Sequence, residues 1–182
     1  MINDIESILV SEAEIDEITT RLANEITRDY KDSPRDLVLV CILKGSLMFT
    51  TELMKKINLP LQIEFMKVSS YGSGSVSSGK LNVHLDLNRD SLENTDLLII
   101  EDIIDSGNTL SNLVNLLKER NVGSVKTCTL LDKPDRRAVD FNPDYVGTVI
   151  PDKFVVGFGL DFAEKYRNLP YVGVLKPSVY SN

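Results

Sequence analysis

The sequence predicts an α/β protein built on a mostly parallel sheet flanked by helices, and three observations carry that prediction. Two continuous apolar runs, Leu37 to Leu43 and Leu97 to Ile100, have the form of strands buried on both faces of a parallel sheet. Each leads into a polar turn before a second pattern begins, Lys44-Gly45-Ser46 in one case and Asp105-Ser106-Gly107-Asn108-Thr109 in the other. Beyond the turns, Leu47, Leu53, Met54 and Ile57 suggest one helix, and Leu110, Leu113, Val114 and Leu117 recur at the spacing of another. Strand, tight turn and helix, repeated along a chain, describe a sheet wound with helices.

The remaining elements follow in order. Ser11-Glu12-Ala13-Glu14 has capping-box form, and Ile15, Ile18, Leu22 and Ile26 continue it as one helical face, which predicts a packing helix. Gln62 to Val68 reads as a strand, with Leu59-Pro60 punctuating its start. From Ser69 to Gly79, nine of eleven residues are serine or glycine. Such a stretch buries no core of its own and reads as a flexible hairpin loop, either simply solvated or a lid. Leu81, Val83, Leu85 and Leu87 then alternate with Asn82, His84 and Asp86, the pattern of a half-exposed strand. Val125 to Leu131 is a further apolar run, ending in Asp132-Lys133-Pro134. Tyr145 to Ile150, Phe154 to Val156 and Tyr171 to Leu175 are shorter β-like pieces broken by Pro151, Gly157, Gly159 and Pro170. The regular alternation up to residue 131 predicts the parallel core. The irregular C-terminal part, about residues 133–182, predicts the main portion of a small hood over the strand ends.

Composition bounds what such a protein does. At 182 residues, 42% apolar and 26% charged, one folded domain spanning residues 1–182 is the expectation. A net charge of −7 argues against nucleic acid or an anionic membrane as the main partner. An anionic substrate then needs locally placed cations, backbone amides or a metal. Cys41 and Cys128 each sit in an apolar run and read as buried thiols in a reducing compartment, with a disulfide left open. The N-terminus lacks the basic start and apolar centre of a signal peptide, and the longest apolar run, Leu37 to Leu43, falls far short of a membrane span. A cytoplasmic location is expected.

The chemistry concentrates in Glu101-Asp102-Ile103-Ile104-Asp105-Ser106-Gly107-Asn108-Thr109. In open α/β sheets ligands bind beyond the carboxyl ends of the strands, and a helix N-terminus offers unpaired N–H groups to a phosphate. Ser106, Gly107, Asn108 and Thr109 supply hydroxyls, an amide and a glycine that lets backbone approach an oxygen closely. Glu101 and Asp102 suit sugar hydroxyls or a magnesium ion. The competing reading is a capped helix after a core strand, with the acids merely solvated. Two further patterns are decoys. Gly74 to Lys80 nearly spells a P-loop, but Leu81 stands where Ser or Thr should meet magnesium, and a period-two strand follows instead of a helix. His84, the only histidine, falls on the polar side of that strand and reads as a surface residue.

The nonamer resembles the phosphoribosyl-diphosphate (PRPP) motif of the phosphoribosyltransferases, in the form carried by the hypoxanthine-guanine phosphoribosyltransferases. The resemblance runs from about Ile8 to Pro177. Leu43-Lys44-Gly45 is similar to that family's pyrophosphate loop, where a non-proline cis peptide precedes the glycine. Ser69-Ser70-Tyr71 resembles the start of its lid, over about residues 69–80, and Asp132-Lys133 falls at its purine-reading lysine. Pro151 to Asp161 resembles its cap segment. The resemblance implies a Rossmann-like sheet with a small hood, and transfer of a phosphoribosyl group from PRPP to hypoxanthine or guanine. It places the PRPP phosphate and ribose on Glu101, Asp102, Asp105, Ser106, Gly107, Asn108 and Thr109, with Asp105 as catalytic base. The pyrophosphate would meet Lys44, Gly45 and Arg167; the purine would meet Lys133, Phe154 and Val155; Mg2+ would be held through Glu101, Asp102 and Asp161. It implies a homodimer or homotetramer with no nucleic-acid partner. Ser46 stands where some relatives carry a second glycine, and Asn108 occupies a variable position. A xanthine-preferring enzyme, or a nucleotide-sensing regulator on the same fold, are the competing functions.

Overall fold

In chain order the elements are β1 (Ile5–Val10), α1 (Glu12–Tyr30), β2 (Asp36–Ile42), α2 (Leu47–Met54), β3 (Gln62–Ser70), β4 (Leu81–Leu85) and β5 (Thr95–Ile104). There follow α3 (Asn108–Lys118), β6 (Ser124–Asp132), β7 (Tyr145–Val149), β8 (Val155–Val156), β9 (Val172–Leu175) and the short α4 (Pro177–Tyr180). The computed structural model describes residues 1–70 and 81–181. Gly74 to Lys80, Tyr71 and most of the serine-glycine stretch lie outside the described residues.

Six strands form the large sheet in the order β4-β3-β2-β5-β6-β7. All neighbours are parallel except β3 and β4, which pair antiparallel at the edge, as two strands joined by a hairpin loop must. The two apolar runs become the central pair, with Val38 opposite Leu97 and Cys41 opposite Ile100. Because successive side chains point to opposite faces, Leu37 and Leu39 join one core and Val38, Val40 and Ile42 the other. The first core is closed by α1 and α2 through Ile15, Leu22, Ile26, Phe49 and Leu53. The second is closed by α3 through Leu110, Leu113, Val114 and Leu117. Burying a side chain of this size contributes about 1.5–3 kcal/mol, so the helical stripes read from the sequence are what hold the layers together.

At α1 the capping box is complete. Ser11 Oγ accepts from Glu14 N at 3.3 Å, and Glu14 Oε2 accepts from Ser11 N at 2.8 Å.

Four expectations need correction. First, β5 does not stop at Ile100. Ile103 and Ile104 still pair with Leu131 and Asp132 of β6, so Glu101 and Asp102 lie inside the strand. Second, the hood, expected mainly from about residues 133–182, also draws on the N-terminus. Its sheet, ordered β1-β9-β8, takes its far strand from the N-terminus, while β7 belongs to the large sheet. The strand β1 escaped a reading by pattern because its burial is irregular, with Ile8 58% exposed. Third, Leu47 is 47% exposed, and Ile57 is buried beyond the end of α2 rather than on it. Fourth, Leu85, assigned to the buried side of β4, is 44% exposed at the sheet edge.

Candidate active site

The chain leaves β2 toward β3 on one side and leaves β5 toward β6 and β7 on the other. The carboxyl ends of β2 and β5 therefore flank the point where the winding reverses, and their two loops face a common crevice. A cavity of about 380 Å³ opens there, lined by Leu43 from the first loop, by Glu101 and Asp102 from β5 itself, by Asp105 and Ser106 from the second loop and by Thr109 from the start of α3.

The loop at the start of α3 is shaped for an anion. Gly107 takes φ +80°, a left-handed conformation that glycine adopts without penalty; as N-cap it brings no side chain, and Ser106 Oγ accepts from Asn108 N at 3.4 Å. The first backbone bond of the helix runs from Ser111 N to Gly107 O, so the N–H groups of the opening turn face outward. Thr109 Oγ1 lies 2.8 Å from Ser70 Oγ, which joins this loop to the last residue of β3 where the serine-glycine stretch departs.

The acids beneath it are crowded. Burial, and then the neighbouring Asp102 carboxylate, hold the Glu101 carboxyl well above its usual range; burial likewise raises Asp102. Gly45 is glycine because of them, since a Cβ there would overlap Asp102 Oδ2. Gly159 packs behind it in turn, where a Cβ would overlap Gly45 O. Hood and β2 loop thus meet backbone to backbone, and the Asp102 carboxylate of β5 closes on the bare Gly45. The Leu43–Lys44 peptide bond is cis. Ser46 turns away from the crevice: it is fully buried and donates to Ile42 O at 2.7 Å.

The cations gather beside Gly159. Arg167 donates to Gly159 O at 2.8 Å and pairs with Asp161 at 2.9 Å and Glu164 at 3.2 Å. Lys44 Nζ reaches the same Glu164 at 2.7 Å. Arg167 Nε is buried with no partner among the described residues, a donor left for an incoming acceptor. Asp161 does not join Glu101 and Asp102. Among the described residues, no three His, Cys, Asp or Glu side chains converge as a metal cluster. The adjacent carboxylates at 101–102 offer a hard, two-residue oxygen set. That suits a magnesium ion, which keeps waters and takes further ligands from substrate phosphates.

A second cavity, of about 330 Å³, lies beside the first and is lined by Asp105, Lys133, Asp152, Phe154, Val155 and Leu160. Lys133 is only 7% exposed; it donates to Lys153 O at 2.8 Å and lies 3.5 Å from Asp105 Oδ1. Phe154 is 39% exposed, stacked on Tyr180 at 4.8 Å and met edge-on by Phe162 at 5.7 Å. Leu175 N donates to Phe154 O, so the alternation of the pair turns the N–H and C=O of Val155 away from β9, toward the open edge. Asp105 lines both cavities.

The phosphoribosyl transferase domain model matches residues 5–163. This chain belongs to the phosphoribosyltransferase family. Its relatives within the family include the hypoxanthine-guanine phosphoribosyltransferase of Staphylococcus aureus, 51% identical over the full length of both chains. The bifunctional protein TilS/HprT of Listeria monocytogenes is 53% identical over 181 residues, and there the chain spans 28% of the relative's length. A crystal structure of a hypoxanthine phosphoribosyltransferase from Staphylococcus aureus superposes with a TM-score of 0.94 at 50% identity, covering 100% of this chain and 97% of that one. A point mutant of the Trypanosoma cruzi hypoxanthine phosphoribosyltransferase, in a ternary substrates complex, superposes with a TM-score of 0.93 at 41% identity, covering 98% of this chain and 99% of that one.

In this phosphoribosyltransferase several site residues carried no sequence signal of their own. Glu164 bridges the two cations, Asp152 lies 3.8 Å from Lys133 and pairs with Arg136, and Arg137 reaches back to the loop after β5. An isolated charge in an irregular segment reads the same whether it faces solvent or a site; only its neighbours in space distinguish the two.

Proposed function

We propose that the chain, acting as one transferase domain, moves the 5-phosphoribosyl group from PRPP to hypoxanthine or guanine, giving the nucleotide and pyrophosphate. One observation carries the reading: Asp105 lines both the cavity beside the phosphate loop and the cavity of Lys133 and Phe154, where sugar and base would meet. The 5-phosphate lies on the N–H groups and hydroxyls of Ser106, Gly107, Asn108 and Thr109. Glu101 and Asp102 take the ribose hydroxyls and Mg2+, with Asp161 beside the pyrophosphate. Mg2+ held by these residues would supply positive charge to offset that of the pyrophosphate leaving group. Lys44, Gly45 and Arg167 receive that group, and the unpartnered Arg167 Nε supports their role.

Asp105 accepts the proton lost by the purine nitrogen as the new bond forms. Lys133 reads the 6-oxygen, Phe154 stacks on the ring, and the outward backbone of Val155 meets the base edge. Ser70 and Tyr71 begin a lid whose closure would exclude water from a sugar cation that water destroys. No helix of the described residues is long and apolar enough to cross a membrane. The buried free thiols of Cys41 and Cys128 support a reducing cytoplasm, and the net charge of −7 supports a small substrate rather than nucleic acid. Assembly as a homodimer or homotetramer completes the proposal.

The test is nucleotide formation from PRPP and Mg2+ with hypoxanthine, guanine, xanthine and adenine. An ammonium has donors and no acceptor, so the amino group of adenine leaves Lys133 unpaired. Adenine should fall behind hypoxanthine by roughly 10⁴-fold in kcat/KM. Adenine use within about tenfold of hypoxanthine, small against that discrimination, would remove Lys133 as the reader. Xanthine as the best substrate would favour the neighbouring specificity.

A further inference from the structure

The loop after β5 makes its contacts from behind as well as in front. Arg137 donates through one Nη to the backbone oxygen of Asp105 at 2.6 Å and through the other to the Asp132 carboxylate. The next residue, Ala138, donates its N–H to Ser106 O at 2.9 Å. A trans peptide is planar, with its N–H opposed to its C=O. Pulling the Asp105 and Ser106 carbonyls toward residues 137–138 therefore aims the N–H groups of Ser106 and Gly107 the other way. That is the side of the cavity, which Ser106 and Gly107 line and Arg137 does not. Successive N–H groups held in this manner form a concavity for an anion. The stem of Arg137 also explains the residue at 107: a Cβ there would approach Arg137 Cδ to 2.9 Å. Arg137 and Asp132 are each mostly buried, with side chains 13% and 11% exposed, so the guanidinium is anchored and charge-balanced rather than free to reach a ligand.

We infer that Arg137 is a positioning residue for the 5-phosphate, holding the peptides on either side of Ser106 so that their N–H groups converge on the phosphate oxygens. This rests on the proposed placement of that phosphate at Ser106–Thr109. Arg137 touches no substrate and acts through the backbone of the loop. Losing it removes no side chain from the lining of the base cavity and lets the two peptides rotate, so the loss falls chiefly on ligands that carry a 5-phosphate.

The experiment compares IMP with inosine, which differ only in the 5-phosphate, by calorimetric titration of the wild type, Arg137→Met, Arg137→Lys and the loop variant Thr109→Val. Methionine keeps the stem and removes both donors. Arg137→Met should weaken IMP about tenfold, the scale of one charge-assisted hydrogen bond, and leave inosine within twofold. Arg137→Lys, whose single ammonium does not span both acceptors as the fork does, should fall between wild type and Arg137→Met for IMP. If Arg137→Met does not fold, the selective loss in Arg137→Lys decides. Equal losses for IMP and inosine, or an unchanged IMP affinity in the folded variant, overturn the inference. If Arg137→Met and Thr109→Val both leave IMP unchanged, the placement of the phosphate on the loop is what fails. If Thr109→Val weakens IMP selectively and Arg137→Met does not, the placement stands and the role of Arg137 falls.

Discussion

The two ends of β5 carry the same kind of side chain in opposite circumstances. At the amino end, Asp96 is 1% exposed and fully answered: Arg35 donates to it at 2.7 Å, and Ser33 and Ser124 at 2.5 Å. Burial pushes its carboxyl up, but the three donors outweigh burial and bring it below the ordinary range. At the carboxyl end, Glu101 and Asp102 are buried side by side, Asp102 Oδ1 accepts from Ile103 N at 2.8 Å, and both carboxyls are nonetheless raised. One end is finished by the protein and serves stability. The other, in the proposed function, is completed by PRPP and Mg2+, and raised, crowded carboxyls of this kind are common at functional sites.

The contrast extends to pH, with opposite sign. Asp96 holds its proton less tightly folded than unfolded, so its stabilisation is present above the unfolded carboxyl range and is lost as pH falls through its lowered folded value. The Glu101–Asp102 pair holds a proton more tightly when folded. Its contribution is present below the unfolded range and is lost as pH rises through the raised folded value.

Asp105→Asn offers the strongest way to break this division between the ends. It removes the accepting charge while keeping size, so kcat should fall roughly 10²-fold, at the low end for general-base assistance. PRPP affinity measured directly should barely move. A variant that fails chiefly in PRPP binding would make Asp105 an ordinary part of the cradle.

Asp96→Asn should act in the reverse manner, costing about 2 kcal/mol of unfolding free energy at pH 7 through weakened charge-assisted bonds, with kinetics unchanged in the folded enzyme. Denaturant unfolding as a function of pH sharpens the point. The difference from wild type should hold at neutral pH and shrink as pH falls below about 4, the unfolded carboxyl value. A gap that persists at lower pH would mean that Asp96 acts through packing instead of charge.

Glu101→Gln should give the smallest change, and one of opposite sign. Relieving two crowded carboxylates should raise unfolding free energy by up to about 1 kcal/mol near pH 7, while binding of PRPP with Mg2+ weakens. If thermal unfolding shows the variant less stable at every pH from about 5 to 8, the carboxyl end is as structurally complete as the amino end, and the comparison fails.

Much of this molecule was legible locally because its signals are local. The apolar runs of β2 and β5, the capping box at Ser11 and the stripe of α3 each depend on spacing within one segment, and each packs as its spacing requires. The turn at Ser106–Thr109 was legible for a related reason: a strand, a polar turn with a glycine and a helix are written in consecutive residues. Whatever needed distant segments to meet was silent. Nothing in Ile5–Val10 announces a strand, because its partner β9 lies at the far end of the chain. Nothing near Gly45 says that Asp102 will crowd it, or that Gly159 will close behind it. Arg137 reads as one of two adjacent surface arginines until the fold brings it against the Asp105 carbonyl. Side-chain type and spacing set what each segment can become, since they act over a few residues. The register of β5 against β6, the pairing of the two chain ends and the partner of each buried charge follow from packing energies shared among segments, and no single segment contains them.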